Sequence, residues 1–323
     1  MMTFPQALDS LLAATPLLPT ERIRIENAAG RVLRQDIVAD RDFPPFDRVM
    51  MDGYAMRKAD LDGMRDFTVI ASAPAGVPVV PLPESAGACI EVMTGAPLPT
   101  GADCIVPVEE TERLGDVVRI ASGFEAVPHR FIHSFGSDAK AGASLLNGGK
   151  LIGSREIGVA ASCGAAWLEV SKLPRISLLA TGDELVAVDE IPAPHQIRQS
   201  NAHSISCALS RAGYPVISAG CLRDEGDTQE THLRKLLGES DWIILTGAVS
   251  KGARDFIPAL LDRLGCRRLF HGVSQRPGKP AGCWLGSAGQ VIMALPGNPV
   301  SALTGLHTFV LPALAVSSGI APP

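Results

Sequence analysis

The hydrophobic pattern of this chain changes period twice. Near the N-terminus Ala7, Leu8, Leu11 and Leu12 recur at helical spacing behind Thr3 and Gln6, which read as a capping box, so a helix is expected to open the chain. Across residues 43–138 the pattern shortens. Proline and glycine return every few positions, and the runs FTVIASA, ACIEVMTG, CIVPVEE and VVRIA read as strands, predicting a β-rich unit. From Pro174 onward strand-like and helix-like runs alternate. RISLLATG precedes NAHSISCALSRAG, with Ile205, Ala208, Leu209 and Ala212 on one face and Gly213 after it. PVISAGCL precedes DTQETHLRKLLG, and DWIILTG precedes DFIPALLDRLG, where Pro258 must lie in the first helical turn. RLFHGV, AGCWLG and QVIMAL follow as strands, and a helix begins after Pro299. The fold class expected is α/β with a mostly parallel sheet, plus a β-rich domain.

In such a sheet, ligands gather beyond the C-terminal ends of the strands. Three strand ends carry unusual turns there: TGDEL (181–185), TGAVS (246–250) and LPGNPVSA (295–302). Three in one domain point to a shared pocket touching Thr181, Gly182 and Ser250. In the last turn Asn298 is a good N-cap, and Pro299 stands at the first helical position, where a missing N–H is harmless. This turn reads either as a plain strand-to-helix corner or as an anion-binding corner whose first-turn N–H groups face an oxyanion. RPGKP (276–280) presents Arg276 and Lys279 from a stiff turn, suited to an oxyanion or simply solvated. Asp183, Glu184, Asp224 and Asp255 follow strand ends, where carboxylates either hold Mg²⁺ beside phosphates or cap helices. The stretch PPFDRVMMDGYAM (44–56) sets a tight-turn dipeptide, Asp52-Gly53, among two methionines, a phenylalanine and a tyrosine. A sheet corner and a ligand-facing surface both fit it.

Composition narrows the classes. An apolar fraction of 46% and a charged fraction of 20% over 323 residues describe a globular chain of two or three domains. The net charge is −5 and no block of Lys or Arg occurs, which argues against a nucleic-acid partner. Seven cysteines without a CxxC pair read as buried free thiols in a reducing cytoplasm, not as a zinc site or disulfide framework. No signal pattern opens the chain and no membrane span is expected. GASLLNGGKL (142–151) is one residue too long for a P-loop, and Leu151 replaces its Ser/Thr.

In chain order, AAGRVLRQDIVA (28–39), FDRVMMDGYA, EVMTGAPLPTGAD, GSDAKAGASLL, LLATGDELV, LRDEGD, TGAVSKGARDF, RPGKP and LPGNPVSAL resemble the molybdopterin molybdenumtransferase family, to which the E domain of gephyrin belongs. The resemblance spans nearly the whole chain. It implies a homodimer of elongated subunits. Domain I would be helical and discontinuous (1–42 and 139–173), domain II an inserted β-rich domain (43–138), and domain III the α/β molybdopterin-binding domain (174–323). The pocket would lie between domain III of one subunit and domain II of the other. Asp52, Asp138, Glu184, Asp224 and Asp255 correspond to the family's catalytic acidic residues, with Glu184, Asp224 and Asp255 as metal ligands for Mg²⁺. Thr94, Thr181, Gly182, Ser250, Arg276, Lys279, Pro280, Gly297, Asn298 and Ser301 would bind the substrates, adenylated molybdopterin and molybdate. The pyrophosphate bond would be cleaved, AMP would leave, and molybdate would become bound by the dithiolene sulfurs. LPGNPVSA would then be an oxyanion corner. The helical first domain has an apolar stripe but little local core, so the chain is expected to dimerise.

The family usually ends in a fourth, small β-barrel domain that contributes to the molybdate site. This sequence stops at Pro323, so that domain is expected to be absent. Arg276 and His271 stand at positions usually lysine, Ala248 at a usual glycine and Ala253 at a usual acidic residue. Besides the enzyme, two further readings follow: a carrier that holds molybdopterin without inserting metal, and a dimeric scaffold by fold analogy. A molybdenum enzyme or a separate helper domain would be the further partners.

Overall fold

The computed structural model describes residues 1–222, 227–247, 249 and 256–322. The chain divides into two compact units. One comprises Met1–Asp36, Leu146–Ala161 and Ala165–Pro323, and the other Ile37–Leu145 with Ser162–Gly164.

The first unit is built on a six-stranded sheet in the order Val216–Leu222, Ile176–Thr181, Trp242–Thr246, Val291–Leu295, Gly282–Leu285 and Arg267–His271. The first four strands are parallel, and the last two run antiparallel to their neighbours. Ile176–Thr181, Trp242–Thr246 and Val291–Leu295 are buried at every position, which explains their unbroken apolar character. Alternate residues serve opposite faces. Leu178, Trp242, Met293 and Leu295 pack with Ile205, Leu209 and Phe309 on one side. Leu179, Ile243, Leu245 and Ile292 pack with Leu233, Leu260 and Leu261 on the other.

The helices follow their sequence signals with small differences. Asn201–Arg211 buries Ile205 and Leu209, but Ala212, expected on that face, is the C-cap and lies exposed. Ile257–Arg263 carries Pro258 in its first turn. Pro299–Ser317 is one helical run interrupted by a π-helical stretch, Leu306–Val310. It is long and apolar enough to cross a membrane, yet Leu306, Phe309, Val310, Ala313 and Leu314 lie in the same core as the sheet.

The first helix, Phe4–Ala14, has the expected capping box: Gln6 N donates to Thr3 Oγ1 (3.5 Å) and Thr3 N to Gln6 Oε1 (3.0 Å). Its buried residues Ala7 and Leu11 join the sheet's core, and the ring of Phe4 meets Phe309 edge-on at 5.3 Å. The apolar stripe of this helix is therefore covered by the α/β core of its own unit.

The second unit carries a six-stranded sheet in the order Cys104–Pro107, Gly53–Met56, Ala88–Val92, Asp66–Ala73, Val117–Ile120 and Thr111–Leu114. Only Ala88–Val92 and Asp66–Ala73 pair in parallel. Val49, Ala55, Ile90, Val92 and Ile105 form one core cluster, and Tyr54, Met56, Phe67, Val106 and Val118 another. Asp52-Gly53 is not the tip of a tight turn. Gly53 opens an interior strand, and a Cβ there would stand 2.1 Å from the Val106 carbonyl oxygen, so the position excludes any side chain.

Candidate functional site

At the C-terminal ends of Ile176–Thr181 and Trp242–Thr246 the chain leaves the sheet in opposite directions. One crossover goes to Val216–Leu222, and the other passes beyond Val291–Leu295 to Arg267–His271 at the far edge. Such a switch point opens a crevice in a parallel sheet. Here it is a cleft of about 500 Å³ lined by Thr181, Gly182, Glu184, Asn201, Thr246, Gly247, Pro280 and the Pro296–Pro299 turn. Thr181, Gly182, Glu184, Pro280, Gly297 and Asn298, each expected at the site, therefore share one cleft.

Hydrogen bonds between the strand ends shape its floor. Thr181 Oγ1 donates to Thr246 O (3.3 Å), and Thr246 Oγ1 donates to Pro296 O (3.3 Å). Asn201 Nδ2 donates to both Thr246 Oγ1 and Gly297 O, each at 2.8 Å. Gly247 N donates to Leu295 O (3.0 Å). Gly247 has φ 100, and a Cβ there would lie 2.5 Å from Thr181 O, so both conformation and space demand glycine. The Glu184 carboxylate folds back over Gly182, where a Cβ would stand 2.7 Å from either carboxylate oxygen.

The PGNP corner behaves differently from the oxyanion corner expected. Asn298 Oδ1 accepts from Val300 N (3.1 Å) and Ser301 N (3.2 Å), Ala302 N donates to Asn298 O (2.9 Å), and Pro299 has no N–H. The cap itself uses the donors of the first turn. Arg276 and Lys279 are exposed, and the turn between them reaches the helix start: a Cβ on Gly278 would lie 4.0 Å from Ser301 O. His271 donates from Nε2 to Val249 O (2.8 Å) and lies against the Trp284 ring.

In the β-rich unit, Asp52 Oδ1 accepts from Thr94 N (2.7 Å) and Thr94 Oγ1 (2.8 Å). The backbone N–H first, then the hydroxyl, hold the Asp52 carboxyl below the usual carboxylate range. Asp52 and Thr94, each expected at the site, are thus in direct contact. Asp138 Oδ1 lies 2.8 Å from His133 Nε2, and His133 Nδ1 lies 2.9 Å from Arg48 Nη2.

Asp224, Ser250 and Asp255 lie outside the described residues, as do Ala248 and Ala253. Among the described residues no group of three His, Cys, Asp or Glu side chains is placed to hold a metal ion. Glu184 is the one described member of the expected Mg²⁺ set. Sequence reasoning passed over Asn201, Thr246, His133 and Arg48. Asn201 opens a helix and looks like a cap; its bonds to Thr246 and Gly297 join residues far apart in sequence. Five of the seven cysteines are buried as expected, while Cys207 and Cys221 are exposed.

Comparison with known proteins agrees with this architecture. Residues 2–164 match the MoeA N-terminal region (domain I and II), and residues 177–316 match a probable molybdopterin binding domain. The molybdopterin molybdenumtransferase of Synechocystis sp. is 35% identical over 313 residues, covering 96% of this chain and 80% of that protein. That of Staphylococcus aureus (strain N315) is 31% identical over 314 residues, covering 96% and 74%. The crystal structure of the molybdopterin biosynthesis MoeA protein from Pyrococcus horikoshii superposes with a TM-score of 0.82 at 28% identity, covering 99% of this chain and 80% of that one. Two domain matches in sequence, a whole-chain relative above 30% identity and a shared fold place the chain in the molybdopterin molybdenumtransferase family, within molybdenum cofactor biosynthesis.

Proposed function

We propose that the chain transfers molybdate to molybdopterin: it binds adenylated molybdopterin, its pyrophosphate bond is cleaved with release of AMP, and molybdate becomes bound by the dithiolene sulfurs. The observation that carries this reading is the switch-point cleft, which lies in the matched molybdopterin binding domain and gathers Thr181, Gly182, Glu184, Pro280, Gly297 and Asn298. Its volume suits a small, polar heterocycle better than a macromolecule. Arg276 and Lys279 supply exposed cations for the phosphate and molybdate oxyanions. Asp52, Asp138 and Glu184 are assigned to the reacting end of the substrate, and Asp52 is held ionised by Thr94. Domain I, the inserted domain II, domain III and the homodimer belong to this reading. Mg²⁺ belongs to it as well, with Asp224, Asp255 and Glu184 as the residues that would hold it.

One observation favours a second reading, the carrier. Asn298 consumes the first-turn N–H groups, so molybdate finds fewer donors at the PGNP corner. One experiment separates the two. Purified protein is incubated with adenylated molybdopterin, Mg²⁺ and molybdate, and AMP release and metal incorporation are followed separately. Both occurring, and both slowed by Lys279→Ala, supports the transferase. Tight pterin binding with neither supports the carrier, and no binding removes both.

A further inference from the structure

We propose that His133, held by Arg48 in its Nε2–H form, is a positioning residue that fixes the Asp138 carboxylate for the reaction. The proposal rests on the reading above, in which Asp138 belongs to the reacting set.

Two short strands bring the partners together. Arg48–Val49 pairs antiparallel with Ile132–His133, and the register sets Arg48 directly opposite His133. Cross-strand neighbours of this kind have side chains within reach of one another. Arg48 Nη2 then stands 2.9 Å from His133 Nδ1, and His133 Nε2 stands 2.8 Å from Asp138 Oδ1.

The protons in this chain follow from donor chemistry. A guanidinium has only donors, so His133 Nδ1 must accept and carries no proton. The ring's proton is then on Nε2, where it donates to Asp138 Oδ1. The order Arg48 to His133 to Asp138 has one direction. A doubly protonated ring would set an N–H against the guanidinium, so the geometry fits the neutral imidazole.

The backbone holds the other end of Asp138. Its N–H donates to Phe43 O (2.9 Å), and Gly136 N donates to Pro44 O (2.9 Å). Gly136 has φ 65, so the turn before Asp138 uses a left-handed backbone that favours glycine. With the backbone fixed and Oδ1 tied to His133, the carboxylate loses its torsional freedom. Oδ2 makes no hydrogen bond among the described residues, and the side chain is 57% exposed. One oxygen is anchored and the other is open. An anchored group loses less freedom when substrate arrives, which lowers the barrier without new contacts. An exposed bridge of this kind contributes little to stability, so its effect should appear in turnover and not in melting.

The experiment has two arms. In the first, spectra of protein labelled with ¹⁵N-histidine report the His133 ring. A protonated Nε2 with an unprotonated Nδ1 is expected, and Arg48→Met should mix the two neutral forms. A ring protonated at Nδ1 at neutral pH, or no change in Arg48→Met, overturns the proton assignment without any substrate being present. In the second arm, His133→Phe should lower kcat for AMP release about tenfold with KM and melting temperature little changed, as loss of one hydrogen bond to a charged group predicts. His133→Gln, whose amide can still donate to Asp138, should recover most of that loss. Wild-type kcat in His133→Phe, or no recovery in His133→Gln, overturns the positioning role. Two outcomes separate this proposal from the reading beneath it. An inactive wild-type protein removes both, whereas an active protein in which Asp138→Asn slows AMP release but His133→Phe does not removes only the role of His133.

Discussion

The two units hold their polar groups in opposite ways. In the α/β unit, Thr181, Thr246, Asn201 and the turn at Gly297 bind one another across strand ends, and the result is the shape of a cleft. In the β-rich unit, Asp52 and Asp138 are exposed carboxylates, each gripped by a local partner, and the result is an oriented charge. The first arrangement is part of the packing, so damage to it should register as lost stability. The second rests on the surface of a sheet that folds for other reasons, so damage should register as altered titration or rate.

Gly247→Ala gives the largest expected effect. The new Cβ combines a left-handed backbone with a 2.5 Å approach to Thr181 O, and about 3 kcal/mol of stability should be lost in urea unfolding. A variant as stable as wild type would show that the cleft floor is not part of the packing. Asn298→Ala should follow at about 1 kcal/mol through its lost cap, with Asn298→Ser recovering most of it.

The β-rich unit should answer differently. The Asp52 pKa is depressed in the folded state, so its contribution to stability is present above the unfolded value and is lost as pH falls through the folded one. Thr94→Val removes the hydroxyl but leaves the backbone N–H. Asp52 should then titrate at a higher pH than in wild type, though still below an ordinary carboxylate, with neutral-pH unfolding hardly altered. Carbonyl-detected NMR titration checks this, and an unmoved Asp52 would detach it from Thr94.

The smallest effect concerns the thiols. Burial pushes Cys89 up to about 12 and Cys104 up to about 11, both in the β-rich unit, and raises fully buried Cys283 in the α/β unit. Mass spectrometry after brief alkylation at pH 8 should find Cys207 and Cys221 modified and the five buried cysteines protected until denaturant is added. Rapid labelling of Cys89 or Cys104 would mean that the β-rich unit opens far more readily than its core suggests.

The sequence was most legible where local periodicity and packing agree. The strands of the α/β sheet are apolar because both faces are covered, and the Thr3–Gln6 box lies within one turn of helix, so both could be read directly. Gly53 was misread because the collision that demands glycine comes from Val106, more than fifty positions away. The first helix was legible, but its apolar stripe does not say which surface covers it. The PGNP corner was half legible: the cap was visible, but not that the cap would occupy the donors an anion would use. Arg48, His133 and Asp138 meet through strand register and a turn, and no spacing along the chain announces either.

The strand Val291–Leu295 lies between Trp242–Thr246 and Gly282–Leu285, near the middle of its sheet, although it is the last of the six to be synthesised. The opening helix, made first, is covered by residues as late as Leu314. A nascent chain leaving the ribosome therefore carries an incompletely covered first helix through the synthesis of about three hundred residues, and an unfinished sheet from Ile176 to Leu295. Meanwhile the β-rich unit, contained almost wholly within Ile37–Leu145, has all but three of its residues early. Long-range parallel pairing is slow and leaves apolar edges exposed while it waits. The molecule's vulnerable interval is thus its own translation, and that interval is when a holding chaperone has the most surface to bind.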